Sequence, residues 1–459
     1  MKTKGRIGRK AVVATASAWS LLAMIISAGC GPRPADRADG RSGIDGSAAY
    51  ATVVELSGKR YAGRLIGSDG SLTARTFLSA RLERAGLPVD IIEFSERVGL
   101  NDGQAFLELV PAGEATGKAG QEQFSYRTDF REVLRGGYQG GQATGPLHEL
   151  TEKGATFPAG SILLVPARLY DSGDIGGYAA AGAAGLLLEL PAGTPAQRPL
   201  WAGQAPGTLV SVKSGMPMLA LSAEAFGRLE SMASPSPAGI LPAARFSSPV
   251  RFADVTGHDL LARWNGNGGA FEPSLVVMAH YDHVGTDPDG SFFPGAHDNA
   301  SGVSIALGIA EAASADGLCA DLAFLFTDGE ESGLSGARAF VSQRTFSLAG
   351  VTVINIDMAG SSSDTAYSVY SSGGDSSLAL SRAAGNALRA VGLHAQPEHP
   401  VYNVDHFPFA QAGAAAITVC EYYTGVYHTR DDTADRIDPA ELDAVGDALY
   451  ALVLDRLGR

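Results

Sequence analysis

Short, almost wholly apolar runs alternate with longer segments of helical spacing through the second half of the chain. Each run has six or seven residues, most of them Val, Ile, Leu, Phe or Ala, which is typical of strands buried on both faces. Strands that alternate with helices predict a mainly parallel sheet with helices packed against both faces. The predicted strands are 274–280, 321–327, 351–357 and 415–420, and the predicted helices are 303–313, 334–345, 377–391 and one from about residue 440.

An earlier segment, residues 48–92, has a pattern of its own. Apolar residues recur at helical spacing from Ala74 to Ala85, and Gly86 follows where a helix would end. The run "VDIIEF" at 89–94 then predicts a strand. This segment therefore contributes one helix and one strand to the fold.

The middle third, residues 100–249, is rich in Gly and Pro and has shorter apolar runs. These features predict a separate, smaller α+β domain. Its predicted elements are strands at 160–166 and 186–190, a helix of small residues at 174–185, and a strand followed by a helix at 216–229.

The pattern of residues 1–30 predicts an export signal. Residues 1–10 carry five positive charges, an apolar stretch follows, and small residues precede Cys30 in "SAGC". The ending resembles a bacterial lipobox, in which the cysteine receives a lipid and becomes the new N-terminus. The alternatives are a simple cleaved signal and an uncleaved anchor helix. Because Gly31 stands where Asp signals retention at the inner membrane, we expect a lipid anchor on Cys30 in the outer membrane, facing the periplasm.

Charge narrows the possible partners. The formal net charge is −14, and removing the five positive charges of residues 1–10 leaves −19 for the remainder. No basic stripe remains, so we expect no nucleic-acid binding. An acidic protein is also repelled by anionic head groups, so the lipid would have to hold it at the membrane.

Together these patterns predict a three-layer α/β/α domain whose mainly parallel, mixed sheet is interrupted by a smaller insert. We expect an export segment at 1–30, a flexible linker at 31–47, the first part of the α/β domain at 48–99, the insert at 100–249, and the second part at 250–459.

Residues that bind metals follow the predicted strands. Because the carboxyl ends of parallel strands meet at one edge of a sheet, these side chains are expected to lie together. Several carboxylates at one edge would repel one another without a cation, so the pattern predicts a metal site. The residues are His280 and Asp282, Glu330 and Glu331, Asp357 and His428, with Asp298 between the first two strands.

The types of these residues limit which metal ions could bind. Two imidazoles and three carboxylates, without a thiolate, suit Zn²⁺, with Mn²⁺ or Co²⁺ as alternatives. Five ligands exceed the three that a catalytic zinc usually takes from the protein. One bridging carboxylate resolves this excess, because it lets two metals sit about 3.5–4 Å apart. We therefore expect two Zn²⁺ ions.

Five sequence blocks occur in order along the chain: "AHYDHVG", "GAHDNASG", "DGEESGLSGARAF", "NIDMAG" and "YHTRDDTADRID". They resemble the signature sequences of the co-catalytic dizinc aminopeptidases, a family that also contains glutamate carboxypeptidases and a plasma carboxypeptidase. Residues 62–71, "AGRLIGSDGS", resemble the opening motif of the same family, and the 100–249 region resembles the protease-associated domain that its members often carry. An unclassified α+β insert is the alternative for that region.

The resemblance implies a role for each matching residue. His280 and Asp357 would bind one zinc, Glu331 and His428 the other, and Asp298 would bridge both. Asp282 would orient His280, as the imidazole ligands of metals usually require. Glu330 would be the general base, and Tyr427 would hydrogen-bond the developing oxyanion.

Other residues near these blocks receive lesser roles. Tyr422 and Tyr423 are weaker candidates than Tyr427. The block "NVDHFPF" at 403–409 resembles a family motif that would place Asp405 and His406 along the site. His283 and His297 are interpreted as structural or supporting residues.

The leading hypothesis for function is hydrolysis of an N-terminal residue from peptide substrates. An acidic site attracts the cationic α-amine of such a substrate. A carboxypeptidase or dipeptidase of the same fold is the alternative, with Arg430 as the candidate partner for a substrate carboxylate. A receptor that has lost catalysis is less favoured because every ligand position is filled, and the same full set argues against glutaminyl cyclases, which use one zinc.

Overall fold

The structure is a computed structural model, and only part of the chain is described. The predicted export segment and Cys30 lie outside that part, so the lipid anchor stays a prediction. No helix in the described part is long and apolar enough to cross a membrane. The described residues are 43–101, 103–110, 122–133, 140–169, 177–191, 216–235, 237, 239–363, 365–398, 401–422 and 425–458.

Eight α-helices lie wholly within the described part of the chain. The first begins inside the predicted linker: the side chain of Asp45 accepts hydrogen bonds from the amides of Ser47 and Ala48, and Ile44 is buried. The helices are α1 (Gly46–Leu56), α2 (Asp69–Arg84), α3 (Ala223–Met232), α4 (Gly302–Ala315), α5 (Ser335–Gln343), α6 (Asp375–Ala390), α7 (His406–Gln411) and α8 (Pro439–Arg456).

Sixteen strands occur in the same described ranges, and they form two sheets. Those of the first sheet are β1 (Val89–Asn101), β10 (Val250–Asn265), β11 (Leu275–His280), β12 (Asp321–Thr327), β13 (Thr352–Ile356), β14 (Tyr367–Ser371), β15 (Ala395–Glu398) and β16 (Ala415–Cys420). Those of the second are β2 (Phe106–Val110), β3 (Glu122–Phe124), β4 (Phe130–Glu132), β5 (Gly141–Glu149), β6 (Ile162–Val165), β7 (Gly185–Glu189), β8 (Met218–Leu221) and β9 (Ala243–Ser248).

The first sheet is mixed, with a parallel centre. Its order is β1-β10-β12-β11-β13-β16-β14-β15. Neighbours from β12 to β16 pair in parallel, whereas β1, β10 and β14 make antiparallel pairs with the strands inward of them. The four strands predicted from the apolar runs are these four central strands, and the four predicted helices are α4, α5, α6 and α8. The prediction of an α/β fold with a mainly parallel, mixed sheet is confirmed.

The central strands are buried on both faces, which explains their continuous apolar sequence. Along β11, Leu275, Val277 and Ala279 join one core cluster, whereas Val276 and Met278 join another. The first cluster contains residues of α1, α2, α4, α6 and α8, and the second contains residues of α5 and α7. Side chains of a strand alternate between faces, so one short run supports a helical layer on each side.

The second sheet lies between two paired strands of the first. Strand β1 leads into it and β10 returns from it, paired antiparallel from Val89–Ala262 to Asn101–Val250. Its order is β3-β2-β9-β5-β6-β7-β8-β4, and the run β5-β6-β7-β8 is parallel. All its strands fall within 106–248, inside the predicted insert. The boundaries at 100 and 249 stay a prediction.

Buried His406 ties α7 to the first sheet. Its Nδ1 lies 2.8 Å from the Thr418 hydroxyl of β16, and its Nε2 lies 2.7 Å from the Ser372 hydroxyl. Both partners are neutral, so nothing favours a charged ring. Burial lowers the pKa of His406 to about 4.

This lowered pKa predicts a loss of stability in acid. An unfolded His takes up a proton below about pH 6.5, whereas folded His406 stays neutral until about pH 4, so unfolding becomes easier as the pH falls through this window. Between about pH 7.5 and pH 5, wild type should lose about 2 kcal/mol of unfolding free energy relative to His406→Gln. Urea unfolding of both proteins at the two pH values measures this, and identical pH dependence would contradict it.

Candidate metal centre and active-site cavity

The carboxyl ends of the central parallel strands lie at one edge of the first sheet. His280 is the last residue of β11, and Asp357 follows β13 directly. Glu331 lies four residues beyond β12, and His428 lies eight residues beyond β16. Asp298 lies in the turn that leads into α4. The structure thus brings the five predicted metal ligands to the edge where the sequence placed them.

The first potential metal position is formed by three buried residues, His280, Asp298 and Asp357. Nε2 of His280 lies 3.4 Å from Oδ1 of Asp298 and 3.2 Å from Oδ1 of Asp357. Ligand atoms at these separations can reach a common ion. Three protein ligands with a remaining free position are typical of a catalytic zinc.

The second potential position is formed by four residues, and one of them was not predicted. Nε2 of His428 lies 2.9 Å from Oε1 of Glu331 and 3.0 Å from Oδ2 of Asp298. Nδ1 of His283 lies 3.1 Å from the same Glu331 oxygen and 3.7 Å from the same Asp298 oxygen. Asp298 therefore belongs to both positions and turns one oxygen to each, as a carboxylate that bridges two cations does.

The charges at this edge require positive partners. Burial alone would lower the pKa of His280, but Asp357, Asp282 and Asp298 outweigh burial and raise that pKa well above its ordinary value. Burial likewise opposes a charge on His428, yet Glu331 and Asp298 raise its pKa to about 10. Protons on these rings supply the charge that buried carboxylates need, and bound cations can supply it instead. The residues therefore fit a pair of divalent metals.

The donor set also fits zinc. It consists of imidazole nitrogens and carboxylate oxygens, which Zn²⁺ binds readily and which Mn²⁺ and Co²⁺ also accept. Cys420 borders the same cavity as a free, buried thiol. Burial raises the pKa of this thiol well above its usual range, so it stays protonated. It also lies outside both groups of potential ligands.

Two side chains fix the turn that carries Asp298. The side-chain NH₂ of Asn299 donates to the carbonyl of Ile356 at 2.9 Å. Its side-chain oxygen accepts from the backbone amides of Gly302 and Met358, both at 3.0 Å. Because Ile356 ends β13 and Met358 follows Asp357, these bonds join the Asp298 turn to the Asp357 loop. On the other side, the Asp432 carboxylate accepts from the amides of residues 297 and 298 at 2.8 and 3.1 Å.

Asp282 lies behind His280, on the side of the ring away from the other potential ligands. Its Oδ1 is 3.5 Å from Nδ1 of His280, while the opposite ring nitrogen faces the metal ligands. The Asp282 carboxylate also accepts from the amides of Glu330 and Glu331, at 3.1 and 3.3 Å. One buried carboxylate therefore holds the orientation of His280 and the backbone of the candidate base and its neighbouring ligand.

Arg64 connects the loops on the far side of the site. It is fully buried, and its guanidinium donates to four backbone carbonyls at 2.7–2.8 Å. Among the acceptors, Tyr281 follows His280, and Gly295 begins the turn of Asp298. Arg64 belongs to the predicted opening motif, and its role there is to hold the two ligand-bearing loops together.

A cavity of about 490 Å³ opens over the metal ligands. Glu330 and the five predicted ligands line it, together with Tyr427. The Tyr427 ring stacks on the His428 ring with centroids 3.8 Å apart. Burial, with the charges of Glu331 and Asp298, raises the pKa of Tyr427 well above its usual value, so its hydroxyl keeps a proton to donate.

Most of the other residues named from the sequence lie away from the cavity. Asp405 accepts from the Thr327 hydroxyl, and His406 bonds to hydroxyls of the sheet, so both support the cavity wall from behind. Arg430 pairs with Asp287 and Asp289. Nε2 of His297 faces Glu421 at 3.5 Å. Tyr422 borders the cavity, and Tyr423 lies outside the described residues.

Two residues of this region were not predicted to take part in metal binding. The first is His283, which was interpreted as structural or supporting and lies just beyond β11. The second is Asp432, whose contacts with the backbone 134 and 135 residues earlier follow only from the tertiary structure. The position of His283 after a ligand-bearing strand was a usable signal, whereas the sequence offered none for Asp432.

The first residue of α4 has no room for a side chain. A Cβ on Gly302 would lie 2.3 Å from both the Ile356 carbonyl oxygen and the Asn299 side chain. Gly302→Ala should displace the Asp298 turn, lower zinc content and cost about 1–3 kcal/mol of unfolding free energy. Gly227→Ala in α3 is the matched control, because its Cβ would meet no atom within 4 Å.

The control should stabilise the chain by about 0.5–1 kcal/mol, since alanine favours a helix over glycine. Urea unfolding and zinc analysis measure both variants. Wild-type zinc content and stability in Gly302→Ala would contradict the tight junction between the two loops.

Comparisons with known proteins agree with this geometry. Residues 259–453 match the model of peptidase family M28. Aminopeptidase YwaD of Bacillus subtilis (strain 168) is 29% identical over 194 residues, which cover 40% of this chain and 41% of that protein. A vacuolar membrane protease of Candida albicans (strain WO-1) is 28% identical over 189 residues, which cover 40% and 21%. The matched part spans less than half of either relative.

Solved structures extend the likeness of fold to most of the chain. An aminopeptidase from Aneurinibacillus sp. strain AM-1 superposes with a TM-score of 0.65 at 18% identity, covering 90% of this chain and 94% of that one. BSAP, a zinc aminopeptidase from Bacillus subtilis, superposes with a TM-score of 0.66 at 18% identity, covering 90% and 95%. Residues 259–453 are therefore similar in sequence to peptidase family M28, and the likeness of fold to zinc aminopeptidases extends over most of the chain.

Proposed function

We propose that this protein is a zinc-dependent aminopeptidase that releases N-terminal residues from peptides. The observation that carries the proposal is the buried group of carboxylates and imidazoles, divided by Asp298 into two metal positions, at the floor of a cavity that Glu330 also lines. The names of the matched relatives, aminopeptidase YwaD and zinc aminopeptidases, support it.

Each metal position would hold one divalent cation, in the first place Zn²⁺. His280, Asp298 and Asp357 would hold the first cation. Asp298, Glu331 and His428 would be among the ligands of the second. Bound cations of this kind polarise a carbonyl and lower the pKa of an attacking water. The protein's own groups then have to bind the substrate, move the proton and exclude bulk water.

Glu330 is the group placed to move the proton. Its carboxylate lines the cavity beside the ligands, and its backbone is fixed by the bond from its amide to Asp282. Burial and the neighbouring carboxylates Asp357 and Glu331 raise its pKa well above the ordinary value, although His280 opposes this. A carboxylate in such surroundings can accept a proton from the attacking water and return it to the leaving amine.

Tyr427 would stabilise the charge that develops on the substrate oxygen. Its ring is held against His428, and its hydroxyl remains protonated. A fixed hydrogen-bond donor is effective here because it needs no rearrangement as the charge develops.

The surroundings favour the amino end of a peptide. Asp298, Glu330, Glu331 and Asp357 make the floor of the cavity acidic, and an acidic floor attracts a protonated α-amine. A volume of about 490 Å³ suits a few residues better than a folded chain. The rim contributes apolar and aromatic contacts for a side chain through Leu334, Met358, Tyr370, Val401 and Tyr402.

One observation keeps a dipeptidase or carboxypeptidase as the second candidate. Arg338 of α5 lines the cavity, and it is the only Arg or Lys among the described lining residues. A substrate carboxylate would find its partner there, since Arg430 is engaged by Asp287 and Asp289. Acidic side chains of an aminopeptidase substrate would find the same partner.

We also propose that the protein is exported and held at the outer membrane by a lipid on Cys30, facing the periplasm. The basic start, the apolar stretch and "SAGC" support this proposal. Mass spectrometry of the mature N-terminus tests it: an acylated Cys30 is expected, and an N-terminus without lipid would contradict it.

For residues 100–249 we propose a protease-associated-like insert. The confinement of the second sheet to residues 106–248, between paired β1 and β10, supports this proposal. Deletion of the insert with retention of hydrolysis of short peptides would fit a role in docking or restricting substrates, and loss of fold on deletion would contradict an independent domain.

The proposed activity is tested with Leu-anilide and its N-acetylated twin on wild type, Glu330→Gln and Glu230→Gln. The last variant removes an exposed charge of α3 as a control. We expect cleavage of the free-amine substrate alone. In Glu330→Gln, kcat/KM should fall by about 10²–10⁴, because a general base is lost, while about two zinc ions stay bound. Glu230→Gln should match wild type.

Three results would contradict the proposal in different ways. Equal cleavage of the acetylated twin would exclude recognition of the free amine. No cleavage of either compound, with both metals bound, would favour dipeptides or C-terminal substrates and make Arg338→Ala the next variant. Full activity of Glu330→Gln would exclude Glu330 as the base.

A further inference from the structure

His283 is the one unassigned side chain within the ligand groups. We infer that its Nδ1 is a fourth protein ligand of the second metal position, so that the two positions of this site differ in kind. The inference rests on the proposed metal-dependent function, but it concerns which atoms hold the metal and is tested separately. The first position then has three protein ligands, His280, Asp298 and Asp357, and the second has four.

Distances within the second group support this assignment. Around a tetrahedral zinc with bonds of about 2.0–2.1 Å, neighbouring ligand atoms lie about 3.3 Å apart. Nδ1 of His283 lies 3.1 Å from Oε1 of Glu331 and 3.7 Å from Oδ2 of Asp298. The corresponding separations for His428 are 2.9 and 3.0 Å. Two imidazoles thus approach the same two carboxylate oxygens from different sides, as ligands of one ion do.

The His283 ring faces the second metal position through one nitrogen, Nδ1. Nε2 has no hydrogen-bond partner in the described part of the chain, so the polar contacts of the ring are made by Nδ1. The ring is fully buried and meets the His428 ring edge-on, with centroids 5.5 Å apart. The other unassigned histidine, His297, instead faces Glu421 and lies outside both groups.

The backbone around His283 accommodates its ring and restricts the conformations that the ring can adopt. A Cβ on Gly295 would lie 2.5 Å from a carbon of the His283 ring, so glycine is needed where the turn of Asp298 passes. Gly295 also has a φ of +59°, which glycine adopts without strain. The amide of His283 faces the carbonyl of buried Arg64 at 3.4 Å. The ring is therefore held by the same loops that position Asp298.

A simple hydrogen bond from Nδ1 to Glu331 is the competing explanation. One N–H serves one acceptor well, whereas Nδ1 faces an oxygen of Glu331 and an oxygen of Asp298 together. His283 also lies outside the residues that line the cavity, unlike Glu331, His428 and Asp298. It approaches the second position from behind and completes a ligand set there.

The expected consequence is a division between the two positions. Four protein ligands are typical of a zinc that is held, and three with a free position are typical of a zinc that takes part in chemistry. The position of Glu331, His428, Asp298 and His283 should therefore bind the first zinc ion, tightly. The position of His280 and Asp357 should fill second and keep its free coordination site toward the cavity.

The test compares wild type, His283→Ser and His283→Asn by zinc competition against a chelator. His406→Gln is the matched control, because it replaces a buried histidine whose ring nitrogens face the hydroxyls of Ser372 and Thr418. In wild type and the control, one zinc should bind more tightly than the other. In both His283 variants the affinity of the tighter zinc should fall at least about tenfold, since even indirect partners of a ligand contribute that much.

A second measurement avoids any dependence on how the variants fold. In a crystal structure of zinc-loaded wild type, Nδ1 of His283 should lie about 2.0–2.1 Å from the second zinc. A separation above about 3 Å, or unchanged zinc affinity in folded His283 variants, would overturn the inference. Neither result would touch the proposed activity, which is judged by Leu-anilide hydrolysis of the same wild-type samples.

Discussion

Mutual repulsion among buried carboxylates at one sheet edge is the constraint on which the site depends. Asp298, Glu331 and Asp357 lie within reach of common ions, with Glu330 beside them and Asp282 behind. Burial makes such charges costly unless cations are close. Burial opposes a charge on His428, but Glu331 and Asp298 raise its pKa to about 10, so a proton on this ring can supply part of the positive charge. The same need for positive charge suits this edge to a pair of metal ions and underlies the proposal that the substrate carries a cationic amine.

The surrounding structure keeps these charges in place through the backbone. Asn299 joins the turn of Asp298 to the end of β13, Asp432 accepts from that turn on its other side, and Arg64 holds it to the loop after β11. Each contact uses a buried polar group with fixed partners, so each is costly to break. Only glycine fits at positions 302 and 295, because other atoms occupy the space that a side chain would need.

Much of this could be predicted from sequence because the signals are local. Continuous apolar runs identified β11, β12, β13 and β16, and the residues just beyond them identified the edge of the sheet where ligands gather. The pairing of β14 with β15 and the contacts of Asp432 depend on distant parts of the chain and left no local pattern. His283 was interpreted as structural or supporting, because the sequence shows only that it follows a ligand-bearing strand and not whether its ring faces a metal position.

The most direct test of the central claim is to measure zinc binding by the chelator-stripped protein with titration calorimetry. Urea unfolding with and without zinc then measures the effect of the metal on stability. The account predicts about two zinc ions per chain and a gain in unfolding free energy of about 2.7 kcal/mol for each site when free zinc is a hundredfold above its Kd. A stripped chain that binds no zinc, and whose stability zinc leaves unchanged, would contradict it.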